Sequence, residues 1–384
     1  MKKQTFTVVF AGGGTGGHIY PGIAVADETR AIALEKGIEI KLYWIGNSCG
    51  MDKSLVEKNL VSEGGSIDAF YGIPSGKLRR YFSLKNFTDI IKIAAGFFKS
   101  LYLLIKLKPD CVFSKGGFVS VPPCKAAGIL RIPYFTHECD FTPGLATKLN
   151  SCGAKNIFIS YSETEKYFSE KKKKLCAVTG NPVRPVFYEN HKKEGLDFLN
   201  IPENHNKKIL FVSGGSLGAR QINELVMENL NWLKENFIVV HQTGKAFAEE
   251  NPLVMSSGDD DYKPYAFIYK EMPYVIQAAD IVLCRSGANS LWECATCGKP
   301  MVLIPLCGSG TRGDQVDNAR YFEKENAALV LSGNEADGNH LKEKLSFFLN
   351  EENIASYSNA ASKMCSGKSA LVIAGKILEK AGKK

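Results

Sequence analysis

Several things this chain lacks narrow what it can be. Its N-terminus, Met1-Lys2-Lys3-Gln4, leads into one short strand with no apolar stretch long enough for a signal peptide. Its 11 cysteines follow no framework spacing, so reduced thiols and a cytosolic compartment are expected. Cys294-Ala-Thr-Cys297 has no second pair with which to hold zinc and reads as helix packing. There is no Walker A lysine, no nucleophile elbow and no short-period repeat. Hydrophobic content of 45% and charged content of 23% leave a globular protein, and 384 residues suffice for two ordinary domains.

What the chain has is glycine in the right places. Gly12-Gly13-Gly14-Thr15-Gly16-Gly17-His18 follows the apolar strand Thr5–Ala11, and Gly214-Gly215-Ser216-Leu217-Gly218-Ala219-Arg220 follows Ile209–Ser213. A strand that turns through glycines into a helix directs amides and the positive helix end at one point, which suits phosphate or pyrophosphate. A third turn, Ser114-Lys115-Gly116-Gly117-Phe118, follows a strand in the same half as the first. Two nucleotide-fold domains facing each other across a cleft are expected, acting on phosphate-bearing substrates.

Strands alternate with helical stretches throughout, which predicts parallel sheets covered on both faces. Expected strands include Lys41–Ile45, Cys111–Phe113, Tyr134–Thr136, Asn156–Ile159 and Cys176–Val178. In the second half they are Phe237–His241, Ala266–Tyr269, Ile281–Cys284, Met301–Ile304 and Ala328–Leu331. Gly180-Asn181-Pro182-Val183-Arg184-Pro185 reads as the domain joint, because two prolines there bar a helix.

Charge is unevenly spread. Residues 1–181 hold 25 Lys+Arg against 15 Asp+Glu, while the remainder holds 23 against 25. The basic half suits an anionic partner, either nucleic acid or a membrane surface. Within it, Lys85, Lys92, Lys99 and Lys106 recur every seven residues and form one stripe on a helix over 85–108. The apolar runs between these lysines fall short of the roughly 20 residues a membrane span needs, so a surface helix with a solvated lysine edge is expected. The loop before it mixes Ile73, Leu78, Tyr81 and Phe82 with Lys77, Arg79 and Arg80. Apolar tips ringed by cations fit attachment to an anionic bilayer.

Gly12-x-Gly14-x-x-Gly17 formally matches the dinucleotide fingerprint, but the second strand ends Trp44-Ile45-Gly46-Asn47 with no acid for a ribose, which argues against a dehydrogenase. The loop instead runs into His18, whose place at a helix start favours the neutral imidazole, a candidate general base. In the second half, Glu293 falls five or six residues into a helix and can accept both hydroxyls of a ribose, while Asp314 and Gln315 open another helix with side chains suited to sugar hydroxyls. Asp259-Asp260-Asp261 and Lys171–Lys174 read as solvated turns.

Taken in order, Gly13-Gly14-Thr15-Gly16-Gly17-His18 with Pro21-Gly22, Lys115-Gly116-Gly117-Phe118, His137-Glu138, Gly180-Asn181-Pro182-Val183-Arg184, Gly214-Gly215-Ser216-x-Gly218-Ala219 and Arg285-Ser286-Gly287-Ala288 resemble the MurG family of bacterial peptidoglycan enzymes along nearly the whole chain. That family transfers N-acetylglucosamine from UDP-N-acetylglucosamine to undecaprenyl-pyrophosphoryl-N-acetylmuramoyl-pentapeptide.

The resemblance implies a GT-B fold. Residues 1–181 with the C-terminal helix (366–384) would form the acceptor and membrane domain, and residues 182–365 the donor domain. It implies an inverting transferase needing no cofactor or metal, peripheral at the cytoplasmic face of the cell membrane. Its partners would be the two substrates, the anionic membrane and other cell-wall synthesis proteins, with no nucleic acid. Donor contacts would come from Thr15, Gly16, Gly17, Asp140, Arg184, Ser216, Tyr269, Ala288, Glu293, Asp314 and Gln315. The acceptor pyrophosphate would lie on Gly14, Thr15, Gly116 and Gly117. The family often carries His-Glu-Gln-Asn where this chain has His137-Glu138-Cys139-Asp140, and two glutamines where it has Asp314-Gln315. A related transferase acting on another lipid such as diacylglycerol, and a non-enzymatic nucleotide-binding scaffold, remain the alternatives.

Overall fold

The computed structural model describes residues 5–76, 84–215, 217–308, 311–365 and 367–379, with the side chains of 84–87 left aside. Lys77, Leu78, Arg79, Arg80, Tyr81 and Phe82 of the expected membrane loop, and Ser216 of the second-half turn, lie outside the described residues. The chain divides into two units, Met1–Arg184 with Gly367–Lys384, and Pro185–Ser366. The dividing point falls between Arg184 and Pro185 rather than after Asn181.

The first unit holds a seven-stranded parallel sheet of β1 (Phe6–Gly12), β2 (Ile40–Asn47), β3 (Ala69–Ile73), β4 (Cys111–Gly116), β5 (Tyr134–Glu138), β6 (Asn156–Ile159) and β7 (Cys176–Val178). Their spatial order is β3-β2-β1-β4-β5-β6-β7. Alternate residues face opposite layers. Phe10, Trp44 and Phe113 pack on one face against helix Gly16–Glu35 and the C-terminal helix Ser369–Leu378, which contributes Ile373, Ile377 and Leu378. Val9, Ile45 and Val112 pack on the other face with Leu103 and Leu104 of helix Leu84–Leu107.

The second unit holds a six-stranded parallel sheet of β8 (Lys208–Ser213), β9 (Phe237–Gln242), β10 (Tyr262–Tyr265), β11 (Ile281–Cys284), β12 (Met301–Leu303) and β13 (Ala328–Val330). Their order is β10-β9-β8-β11-β12-β13. Two parallel-sheet α/β units of this kind are the GT-B architecture.

Two local expectations need correcting. Residues Ala266–Tyr269 are not a strand, and the strand lies just before them at Tyr262–Tyr265. It includes Pro264, which a β-strand tolerates at a sheet edge, and among the described residues β10 pairs only with β9. The strand β3 was not expected, and it changes the reading of Ile73. That residue ends β3 and is 0% exposed in the core with Leu103 and Leu104, so it cannot be part of a lipid-inserting tip.

Candidate active site

In an open parallel sheet, ligands bind at the carboxyl ends of the strands where the winding direction reverses. In the first sheet that switch point lies between β1 and β4, and in the second between β8 and β11. The glycine turns follow β1, β4 and β8, and the Arg285-Ser286-Gly287 turn follows β11. Both flanks of each switch point therefore carry one of the turns singled out from the sequence.

In the first unit the two turns touch. Gly12 pairs in register with Gly116. Gly116 and Gly117 have φ of +89° and +74°, in the left-handed region that favours glycine. A Cβ on Gly117 would lie 2.7 Å from the Gly13 carbonyl and 3.1 Å from Cγ of His18, so only glycine lets this turn close on the imidazole. Helix Gly16–Glu35 begins beside it. Thr15 precedes the helix with extended backbone and does not cap it, and its hydroxyl lies 2.8 Å from Nδ1 of His18. The turn thus brings together Gly14, Thr15, Gly16, Gly17, His18, Gly116 and Gly117.

An acid absent from the sequence reading holds this turn. Asp52, five residues past the end of β2, is 1% exposed and accepts from the amides of Gly14 and Asn47, each at 2.8 Å. Burial raises its pKa from the ordinary aspartate value, against the two amides, which lower it. A Cβ on Gly13 would sit 1.7 Å from Oδ2 of Asp52. The carboxylate is therefore committed to shaping the turn and takes no ribose-binding role. Its distance from β1 in sequence hid it.

Asp140 and Arg184 both belong to the first unit. Asp140 follows β5, and its amide donates to Oε1 of Glu138 at 3.1 Å, while Oε2 of Glu138 accepts from Gly144 N at 2.8 Å. Glu138, Cys139 and Asp140 bring ligand atoms within 4.8 Å of one another, but Glu138 is occupied in shaping its own loop. The Arg184 guanidinium lies 5.1 Å from the ring centroid of Tyr20. His137 is buried with Nε2 3.0 Å from the Gly180 carbonyl, and burial together with the Lys115 charge pushes its pKa well down.

In the second unit, Gly215 and Gly218 have φ of +88° and +78°. Gln242, at the end of β9, ties this turn to the segment carrying Ile268 and Tyr269. Its Nε2 donates to Ser213 Oγ at 3.2 Å and to the Gly215 carbonyl at 3.3 Å, and its Oε1 accepts from Ile268 N at 2.8 Å. Tyr269, the next residue, is partly exposed with its ring against Phe267. Gln242 was not singled out from sequence, because a glutamine ending a strand carries no signal of its own.

After β11, helix Ala288–Thr296 places Glu293 at its sixth residue, half-buried. Arg285 donates to the carbonyl of Ile304 at 2.9 Å and to Oε1 of Gln221 at 3.0 Å. Ser286 Oγ donates to the Gln315 carbonyl at 2.7 Å, which fixes the start of helix Asp314–Lys324 beside the β11 turn. Asp314 is paired with Arg312 at 3.0 Å, and Oε1 of Gln315 accepts from Leu306 N at 3.0 Å. Ala288, Glu293, Asp314 and Gln315 thus share the carboxyl edge of neighbouring strands.

The acidic triplet at 259–261 and the Cys294–Cys297 pair have structural surroundings of their own. Asp259 pairs with Lys234 and accepts from the amides of Asp261 and Tyr262. Cys294 is fully buried, its thiol pushed well up by Cys284 and by burial.

The glycosyltransferase family 28 N-terminal domain matches residues 8–159, and the family's C-terminal domain matches residues 209–372. A UDP-N-acetylglucosamine–N-acetylmuramyl-(pentapeptide) pyrophosphoryl-undecaprenol N-acetylglucosamine transferase from Treponema denticola is 47% identical over 381 residues, 96% of each chain. A protein of the same name from Treponema pallidum is 42% identical, covering 87% of this chain and 84% of its own. The crystal structure of Acinetobacter baumannii MurG shares the fold, with a TM-score of 0.72 at 22% identity over 97% of this chain and 99% of that one. This chain belongs to glycosyltransferase family 28 and, within it, to the MurG family of N-acetylglucosamine transferases.

Proposed function

We infer that this protein is an inverting hexosyltransferase that moves N-acetylglucosamine from UDP-N-acetylglucosamine to the 4-hydroxyl of undecaprenyl-pyrophosphoryl-N-acetylmuramoyl-pentapeptide. The observation that carries this reading is the pairing of turns at both switch points, on a chain 47% identical to a transferase of that name. The second unit binds the donor. Glu293 accepts the ribose hydroxyls, the segment at Tyr269 meets uracil, and Asp314 and Gln315 read the sugar. The first unit holds the acceptor diphosphate on Gly14, Thr15, Gly116 and Gly117.

The acceptor hydroxyl attacks the anomeric carbon through an oxocarbenium-like transition state and inverts it to a β link. Negative charge builds on the departing UDP. The Gly214–Gly218 turn and the positive end of helix Arg220–Glu228 stabilise it, so the step needs no metal. His18, oriented by Thr15, takes the proton of the attacking hydroxyl.

The protein works at the cytoplasmic face of the cell membrane, where its lipid-linked acceptor is held, alongside other cell-wall synthesis proteins. Helix Leu84–Leu107 supports this placement. It exposes Ile90, Ile91, Phe98, Tyr102 and Ile105, with Phe98 67% and Tyr102 62% exposed, beside the exposed Lys92, Lys99 and Lys106. Apolar residues flanked by lysines suit an anionic lipid surface. No helix among the described residues is long and apolar enough to cross a membrane.

The deciding experiment measures transfer from UDP-N-acetylglucosamine and UDP-N-acetylgalactosamine to a short-chain muramoyl-pentapeptide diphosphate, with diacylglycerol in parallel. Preferred transfer of N-acetylglucosamine to the muramoyl acceptor is expected. Transfer to diacylglycerol alone would establish the other lipid reading, and donor binding without any turnover would establish a scaffold.

A further inference from the structure

We propose that Lys115 is a positioning residue for the acceptor diphosphate, a buried ammonium that keeps the base of the two glycine turns electropositive. The proposal rests on the acceptor reading given above and extends it to a side chain that reading does not use.

Lys115 ends the apolar run of β4, immediately before Gly116 and Gly117. It is 1% exposed, and Nζ finds no hydrogen-bond acceptor among the described residues. Buried lysines are otherwise paired, because an ammonium stripped of water and left alone is strongly disfavoured. The side chain leaves β4 beneath the first turn. Its Cβ lies 3.5 Å from where a Cβ on Gly12 would stand and 3.6 Å from one on Gly22, inside helix Gly16–Glu35.

The nearby groups do not neutralise it. On β5, His137 is 1% exposed with Nδ1 unpartnered, and the Lys115 charge helps keep its imidazole neutral. Asp27, deeper in the same helix, answers to Ser66 and Arg184. Asp52, on the far side of the first turn, is held by the amides of Gly14 and Asn47.

Two independent sources of positive potential therefore converge where β1 and β4 end. One is the start of a 20-residue helix, and the other is a lone buried cation. Neither selects a neutral sugar, and together they favour a multiply charged anion such as a diphosphate. Apolar surroundings such as Phe113 and Trp44 leave that field poorly screened.

The test uses the full chain with saturating UDP, so that the donor site is filled, and titrates inorganic diphosphate by calorimetry. Lys115→Met is expected to weaken diphosphate binding by about tenfold and to raise the acceptor KM by a similar factor, with donor KM and kcat within about twofold of wild type. It should also melt at a higher temperature than wild type, since it removes an unpartnered charge. Lys115→Arg, which keeps the charge, should retain most of the binding. Should Lys115→Met fail to fold, Lys115→Gln serves in the same titration. Unchanged diphosphate affinity in the neutral variants would overturn the proposal, as would a lowered melting temperature with donor and acceptor KM raised alike. Lys115-dependent diphosphate binding in a protein that transfers no sugar would instead sink the acceptor reading and leave the anion site standing.

Discussion

The Thr15 hydroxyl lies 2.8 Å from Nδ1 of His18, within the first turn of helix Gly16–Glu35. When Nδ1–H donates to Thr15, Nε2 is left as an acceptor, which is the state a general base requires. His18→Ala is therefore expected to lower kcat by about 10²-fold or more while leaving UDP affinity intact. Thr15→Val, which keeps the shape and loses the hydroxyl, should lower kcat by about tenfold. Full kcat in His18→Ala with normal donor binding would remove His18 from the chemistry.

Asp52 is the brace of the first turn. Replacing it with alanine leaves the Gly14 and Asn47 amides without their acceptor. A stability loss of about 1–3 kcal/mol is expected, together with a raised acceptor KM. Urea unfolding of Asp52→Ala reads the first effect and steady-state kinetics the second. Gly13→Ala should resemble it, because the added methyl collides with the same carboxylate.

Asp27 makes a pH-dependent contribution of unfavourable sign. Burial raises its pKa from 3.8 to about 6, against opposing help from Ser66 and Arg184. The native state therefore holds this proton more tightly than the unfolded chain does. The penalty is absent below the unfolded value, grows as pH rises through the native one, and is complete above it. Asp27→Asn is expected to be more stable than wild type near neutral pH, by at most about 3 kcal/mol. The difference should vanish below about pH 4. Denaturant melts across that range check it, and a gain that persists in acid would contradict it.

Gln242 links the Gly214–Gly218 turn to the segment carrying Tyr269. Gln242→Leu removes all three hydrogen bonds with little change in volume. Donor KM is expected to rise by about tenfold with a smaller effect on acceptor KM. Calorimetry with UDP alone separates loss of nucleotide binding from loss of sugar contacts.

The apolar face of helix Leu84–Leu107 predicts salt-sensitive lipid binding. Changing Phe98, Tyr102 and Ile105 together to serine should reduce co-sedimentation with vesicles containing anionic lipid and leave transfer to a water-soluble acceptor analogue unaffected. Wild-type binding should fall as salt rises. Equal sedimentation of the triple variant and wild type would remove this face from the membrane contact.

Much of the fold was legible because it depends on local pattern. Asn156–Ile159, Cys176–Val178 and Ile281–Cys284 lie where their apolar runs predicted them. Of the four edge strands, β3 and β10 were harder to read than β7 and β13. Ala69–Ile73 is mostly half-buried and rich in aromatics, and Tyr262–Tyr265 contains a proline, so neither shows the continuous apolar run of an interior parallel strand. Ile73 was misjudged for the same reason. Beside Lys77 and Arg79 in sequence it resembles a membrane tip, yet the sheet turns it inward against Leu103 and Leu104.

The sequence alone determined where the chain must bend. Glycines between strand and helix are required by local backbone conformation, and their motifs point to the family. Only the tertiary structure decided which bends become neighbours. The turns after β1 and β4 are about 100 residues apart, and they meet because β1 and β4 pair at the point where the sheet reverses its winding. The same pairing sets Gly117 against His18, while the packing around it brings Asp52 under Gly14 and closes Lys115 off from water. Such contacts arise from burial and register over long separations, which no local pattern encodes.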